Sequence, residues 1–267
     1  MKSISQLTEI VSQVRRDIVR MVHANNSGHP GGSLGCAEFL TVLYFNVLKH
    51  NADFTMDGNG EDIFFLSNGH ISPVFYSVLA RSGYFDIKEL ATFRKLNSRL
   101  QGHPTTHEGL EGIRMASGSL GQGLSNAIGA AITKKLNNDY RLVYSLHGDG
   151  ELQEGQIWEA AMAADFHKVG NLNVVIDRNR IQNDDFMEVQ MEIGDIGDKF
   201  RSFGWKVLEI DGHNMSEIID SINEASKNQR EPYAIAVSYT HLRAHETREE
   251  RGCRRLVGKK KGGGGGG

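Results

Sequence analysis

Four short runs in the second half of the sequence are apolar almost throughout: LVYSL at 142–146, NVVID at 173–177, WKVLEI at 205–210 and YAIAV at 233–237. Helical patterns at 156–166 and 216–226 lie among them. Strands that are apolar on both faces cannot leave either face to water. The alternation therefore predicts an α/β fold, a parallel β-sheet with helices on both faces. In such sheets ligands sit beyond the carboxyl ends of the strands.

The first half is compatible with the same architecture. Leu7, Ile10, Val11, Val14, Ile18, Met21 and Val22 recur at helical spacing. Five glycines or prolines then break the pattern between 25 and 35, and a largely buried helix is predicted over 37–48. IFFLS at 63–67 reads as a short buried strand, and Asp86 with Glu89 as the box-like N-cap of a short helix. The Ala, Gly and Ile of 120–136 suit a helix packed closely on the sheet.

Of the 267 residues, 30 are Lys or Arg and 33 are Asp or Glu, a net charge of −3 that hides two unlike parts. The stretch 238–267 holds eight basic residues, three Glu and a terminal run of six Gly, so residues 1–237 carry −8 against its +5. The body is expected to be one domain, and 238–267 to be a disordered, atypical basic and Gly-rich tail. Lys259, Lys260 and Lys261 could serve an anionic partner, although a linker or foreign end explains them better. An acidic body without a basic, aromatic-studded stripe argues against nucleic-acid binding. Cys36 and Cys253 form neither a disulfide framework nor a zinc signature, and no segment has the length and apolarity of a signal peptide or membrane span. A cytoplasmic location is expected.

Three motifs could carry chemistry. HGDGELQEGQIWEA at 147–160 follows the first apolar run directly, which places Asp149 at a strand end between two glycines. Asp177 and Asn179 close the next strand, 28 and 30 residues later. Two neighbouring strand ends would then offer carboxylate, amide and carbonyl oxygens to one hard cation, Mg²⁺ rather than zinc. Gly-Asp-Gly alone is equally a plain turn, and Asn179 a loop cap. The second motif is a set of histidines in Gly-rich loops: His29 in SGHPGGS, His70 in LSNGH and His103 in QGHPTTH. Such imidazoles can bind phosphate or sugar hydroxyls and move protons near neutral pH. A zinc hydrolase is the competing chemistry, but no HExxH pair occurs. The third is ASGSLGQGLSNAIGAA at 116–131, a glycine-rich turn entering a helix. It fails as a dinucleotide fingerprint because no clear strand precedes it and no acidic residue ends a strand at the expected distance.

Together these segments resemble transketolase, specifically its thiamine-diphosphate-binding N-terminal half. SGHPGGSLG (27–35), FLSNGH (65–70), GHP (102–104), GSLGQGLSNAIG (118–129), GDGELQEGQIWEA (148–160) and the strand end at Asn179 occur in the family's order, and the resemblance covers about 1–237. It implies a thiamine-diphosphate-binding fold with Asp149, Asn179 and the main-chain carbonyl of Ile181 on Mg²⁺. His70 and Gly150 would contact the diphosphate, Gly118 and Leu120 would line the cofactor pocket, and Glu154 matches the family's acidic residue at the subunit contact. His29 and His103 match histidines that bind the sugar and assist proton transfer. The implied reaction is reversible transfer of a two-carbon ketol unit from a ketose phosphate to an aldose phosphate, in the pentose phosphate pathway. The cofactor would supply the electron sink, leaving the protein to anchor, orient and manage protons.

Two departures qualify the resemblance. Family members are more than twice this length, and the glutamate that activates the cofactor's pyrimidine lies in a domain with no counterpart here. The chain is therefore expected to act as the N-terminal subunit of a split enzyme, active in an oligomer with a partner carrying the pyrimidine-binding half. An interrupted full-length gene is the other explanation. After 237, SYTHLRAHET departs from the family's Lys/Gly-rich continuation and its histidine-bearing loop, so that role is not transferred to His241 or His245. The alternatives are 1-deoxyxylulose-5-phosphate synthase or a dehydrogenase E1 subunit, which the SGHPG and GHP histidines disfavour, and a non-catalytic cofactor-binding or assembly module.

Overall fold

The computed structural model describes residues 1–182, 185–186, 191–227 and 229–238; at 181, 182, 185 and 186 the backbone alone is described. Its centre is a five-stranded, all-parallel sheet in the order β1 (Ile63–Leu66), β2 (Val143–Gly148), β3 (Leu172–Arg178), β7 (Tyr233–Ser238), β6 (Lys206–Asp211). Two-residue strands β4 (Ile181–Gln182) and β5 (Asp185–Phe186) form a separate antiparallel pair just after β3. The tail beyond Ser238, with His241, His245, Cys253 and the three lysines, lies outside the described residues.

The pleat sorts the apolar residues into two cores, as expected of a sheet covered on both faces. Phe64 and Leu66 face one core, with α1 (Ile4–Asn25), α3 (Ala37–Val42), α4 (Ser72–Arg81) and α8 (Met215–Lys227). Ile63 and Phe65 face the other, with α5 (Gln122–Leu136), α6 (Gly155–Phe166) and α7 (Ile196–Ser202). α1 starts where a capping box forms: the Gln6 amide donates to Ser3 Oγ at 3.3 Å, and the Ser3 amide donates to Gln6 Oε1 at 2.9 Å. Among the described residues no helix is long and apolar enough to cross a membrane.

Several local expectations need correction. The glycine-rich break at 25–35 contains a short helix, α2 (Pro30–Gly35), because Pro30 at its first turn presets the backbone angle. The helix predicted over 37–48 is α3 followed by a π-helical turn, Leu43–Val47. Asp86 does cap, its Oδ1 accepting from the Lys88 amide at 2.9 Å, but the element is a 3₁₀ turn (Ile87–Thr92). Glu89 does not close the box, because it pairs with Arg99 at 2.9 Å. β6 is an edge strand whose residues are all half-buried or exposed, unlike the fully covered strand its composition suggested.

Candidate functional site

β2 runs two residues beyond its apolar pattern, so Asp149 is the first residue past the sheet. It is only 2% exposed. Its Oδ1 accepts from the Gly150 amide at 2.9 Å and its Oδ2 from the Arg180 amide at 2.7 Å. Its own N–H donates to the Asp177 carbonyl at 3.1 Å. These bonds stitch the turn after β2 to the end of β3. Burial pushes Asp149 up to about 6. Asp177 is pushed up to about 8, by burial first and by the charge of Asp149 second. The Asn179 amide, donating to Asp177 Oδ2 at 3.1 Å, and the Cys36 thiol only partly offset this.

Two adjacent buried carboxyls disfavour ionisation unless positive charge is brought to them. A divalent cation would supply it. Asp149 offers a carboxylate, and Asn179, donating through Nδ2, keeps its carbonyl oxygen at the other end of the amide. Ile181 opens β4, two residues farther along. Such mixed oxygen donors suit a hard cation. No group of three or more His, Cys, Asp or Glu that could hold a metal exists among the described residues.

The protonation pattern has a measurable consequence. From about 3.8 up to about 8 the folded chain retains an Asp177 proton that the unfolded chain gives up, so stability falls as pH rises through that window. His70, held down at about 4, works in the opposite direction, but only below about 6.5. Between pH 6.5 and 8 the Asp177 effect stands alone among these groups. The stability of the cofactor-free chain is expected to fall over that range by up to about 1.4 kcal/mol per pH unit, and its melting temperature to fall with it. Saturating Mg²⁺ should flatten the dependence. Thermal scans across the range check this, and a Tm independent of pH without cation would refute it.

The three histidine loops meet beside these strand ends. His70 lies in a 3₁₀ turn, Gly69–Ile71, just after β1. Its ring meets that of His29 edge to face, centroids 5.2 Å apart. A Cβ at Gly69 would come within 2.9 Å of the Gly118 amide nitrogen, and one at Gly118 would lie 3.0 Å from the His103 ring. Gly118, at φ +122°, is in any case in a region that suits glycine. His70 is pushed down to about 4 by burial and then by the neighbouring histidines. Burial, with Arg94, also lowers His103. Both rings are thus neutral at physiological pH and able to donate and to accept.

The glycine-rich turn has its own fixed role. α5 starts at Gln122, two residues later than the pattern suggested, with Gly121 as N-cap at φ +88°. The Gly121 amide donates to Glu151 Oε1 at 2.8 Å and the Gly123 amide to Ser67 Oγ at 3.2 Å, while the Ser67 hydroxyl donates to Glu151. These amides are committed within the protein, so the turn forms a wall rather than a phosphate-binding helix terminus. Leu120 is half-buried in that wall, and Glu154, the exposed N-cap residue of α6, lies beside Gly121. Gly150 opens a 3₁₀ turn, Gly150–Gln153, with its amide turned onto Asp149.

The structure therefore gathers His29, His70, His103, Gly118, Leu120, Asp149, Gly150, Glu154 and Asn179 at the carboxyl ends of the strands. Sequence reasoning missed Glu151, Ser67 and Arg94. Glu151 stands inside the GDGELQEG motif, but nothing in spacing tells a buried carboxylate from a solvated one.

The family model of the transketolase thiamine diphosphate binding domain matches residues 6–243. The chain belongs to that family. Its α/β sheet is the family's thiamine-diphosphate-binding fold: transketolase from Campylobacter jejuni superimposes with a TM-score of 0.81 at 35% identity, over 88% of this chain and 38% of that one. Human transketolase is 34% identical over 236 residues, which are 88% of this chain and 37% of its own length. The chain thus corresponds to the N-terminal part of a full-length transketolase. Two relatives of similar length are named as subunits. The 6-deoxy-6-sulfo-D-fructose transketolase subunit SqwG of Clostridium sp. (strain MSTE9) is 38% identical over 79% of this chain and 76% of its own length. An apulose-4-phosphate transketolase subunit of Phocaeicola vulgatus is 36% identical over 85% and 79% respectively.

Proposed function

We propose that the chain is the diphosphate- and Mg²⁺-binding half of a split transketolase, acting on sugar phosphates once a partner polypeptide supplies the pyrimidine-binding half. The observation that carries this reading is the convergence of the Asp149–Asn179 strand ends with His29, His70 and His103 at the carboxyl ends of a transketolase-family sheet. Residues 1–237 form the cofactor-binding domain, and 238–267 are a tail.

Asp149, Asn179 and the Ile181 carbonyl hold Mg²⁺, relieving the charge conflict between Asp149 and Asp177. His70, neutral and half-buried, donates to the diphosphate, and Gly150 lets it approach the backbone closely. Gly118 and Leu120 form the wall that orients the rings of the cofactor. Thiamine diphosphate, when bound, supplies the electron sink for breaking and making the ketol carbon–carbon bond. His29 and His103 bind sugar hydroxyls and exchange protons with them; the lowered pKa of His103 keeps its ring in the form that can accept one. Glu154, exposed beside the wall, meets the partner at the subunit contact. The assembly is an oligomer, and the reaction belongs to cytoplasmic pentose phosphate metabolism. Assaying two-carbon transfer between pentose phosphates, with the chain, its partner, thiamine diphosphate and Mg²⁺ combined, tests this reading.

A further inference from the structure

The function proposed above leaves the buried carboxylate beside Asp149, that of Glu151, without a task. Glu151 is 2% exposed and lies two residues beyond Asp149. Its carboxylate receives the Ser67 hydroxyl from the end of β1, the Gly121 amide at 2.8 Å from the start of α5, and the Gly148 amide at 3.4 Å from the end of β2. The His147 Nδ1 stands 3.3 Å from it, and the other ring nitrogen of His147 is held by Ser145 Oγ at 2.7 Å. Burial works to raise the Glu151 pKa, but the neighbouring His147 imidazole and the bonds from Ser67 and Gly121 outweigh it and lower the pKa.

Each of these donors is a near neighbour of a residue assigned to the cofactor. Ser67 precedes His70 by three positions, Gly121 follows Gly118 by three and Leu120 by one, and Gly148 directly precedes Asp149. We infer that Glu151, backed by His147 and Ser145, is a positioning residue: one buried carboxylate that sets the Gly118–Gly121 wall at a fixed distance from the strand ends holding the diphosphate. This rests on the functional reading above. A carboxylate is required because it only accepts hydrogen bonds. Glutamine cannot serve both sides. With its carbonyl oxygen in the place of Oε1 it keeps the Gly121 and Ser67 bonds but turns its NH₂ group onto the Gly148 amide and His147 Nδ1. With the amide reversed it turns NH₂ onto Gly121 and Ser67, so either placement shifts the wall relative to the strand end.

The wall faces the rings of the cofactor, and the strand ends face its diphosphate, so two probes separate positioning from general support. With the chain assembled with its partner, Glu151→Gln should weaken thiamine diphosphate binding about 10- to 100-fold, the range for lost outer-layer partners of a bound group. Mg²⁺–pyrophosphate, which has no rings to orient, should bind within about three-fold of the unsubstituted protein on the same scale. Ser145→Ala, which loosens only the distal support of His147, should fall between the two proteins for thiamine diphosphate. Unchanged thiamine diphosphate affinity in Glu151→Gln overturns the inference, and so does an equal loss for both probes, which would mean general loosening. Asp149→Ala separates this from the wider reading. If Asp149→Ala leaves both probes bound as before, the functional reading itself falls.

Discussion

Replacing Asp149 with alanine is expected to abolish Mg²⁺-dependent binding of thiamine diphosphate, a loss of at least about 100-fold, while the chain stays folded. Asp149 is the carboxylate of the proposed cation site, and the remaining donors, an amide oxygen and a main-chain carbonyl, are neutral. A hard divalent ion gains little from neutral oxygens alone. The fold should survive because two effects oppose each other. The amides of Gly150 and Arg180 lose their acceptor, at about 1–3 kcal/mol for each one left buried. The charge that helps hold Asp177 up at about 8 disappears. Calorimetric titration checks the first half of the prediction, and a circular-dichroism melt the second. Cofactor affinity that survives unchanged would remove Asp149 from the site.

The second large effect concerns Gly123. A Cβ there would overlap the Ser67 side chain and lie 3.0 Å from the Ser67 Cα, a backbone atom that cannot rotate away. Gly123→Val should therefore prise the start of α5 from the end of β1, break the bond to Ser67 Oγ and destabilise the chain by about 1–3 kcal/mol or more. Gly129, in the same helix, is the control, since a Cβ there meets nothing within 4 Å. Gly129→Ala should stabilise by about 0.5–1 kcal/mol, because alanine has the higher helix propensity. Urea unfolding of both variants checks the pair. Equal effects would mean that the approach of α5 to β1 is looser than its geometry implies.

Much of this architecture was legible in the sequence for a simple reason. Central parallel strands must be apolar on both faces, so LVYSL, NVVID and YAIAV declare themselves, and strand-end motifs then fall where ligands bind. The edge strand β6 was misjudged because its membership in the sheet is visible in sequence while its place at the border is not. α2 was hidden because glycine composition masked the helix-starting effect of Pro30. Asp149, Asn179 and the loop histidines could be found from their neighbours in the chain. Glu151 could not: its partners Ser67 and Gly121 are 84 and 30 residues away. Only the folded sheet makes one carboxylate common to three segments. The same holds for Arg94, whose effect on His103 depends on how two loops pack.

The central claim is that these strand ends and histidines serve ketol transfer in a two-chain enzyme. Its most direct measurement combines the chain with a polypeptide carrying the pyrimidine-binding half, a ketose phosphate donor and an aldose phosphate acceptor. Product sugars are followed with thiamine diphosphate and Mg²⁺ together, with each omitted, and with thiamine in place of its diphosphate. Two-carbon transfer only when both polypeptides, the diphosphate form and Mg²⁺ are present is the predicted result. Transfer that persists without Mg²⁺ or with thiamine alone, or no transfer by the complete mixture, would contradict it.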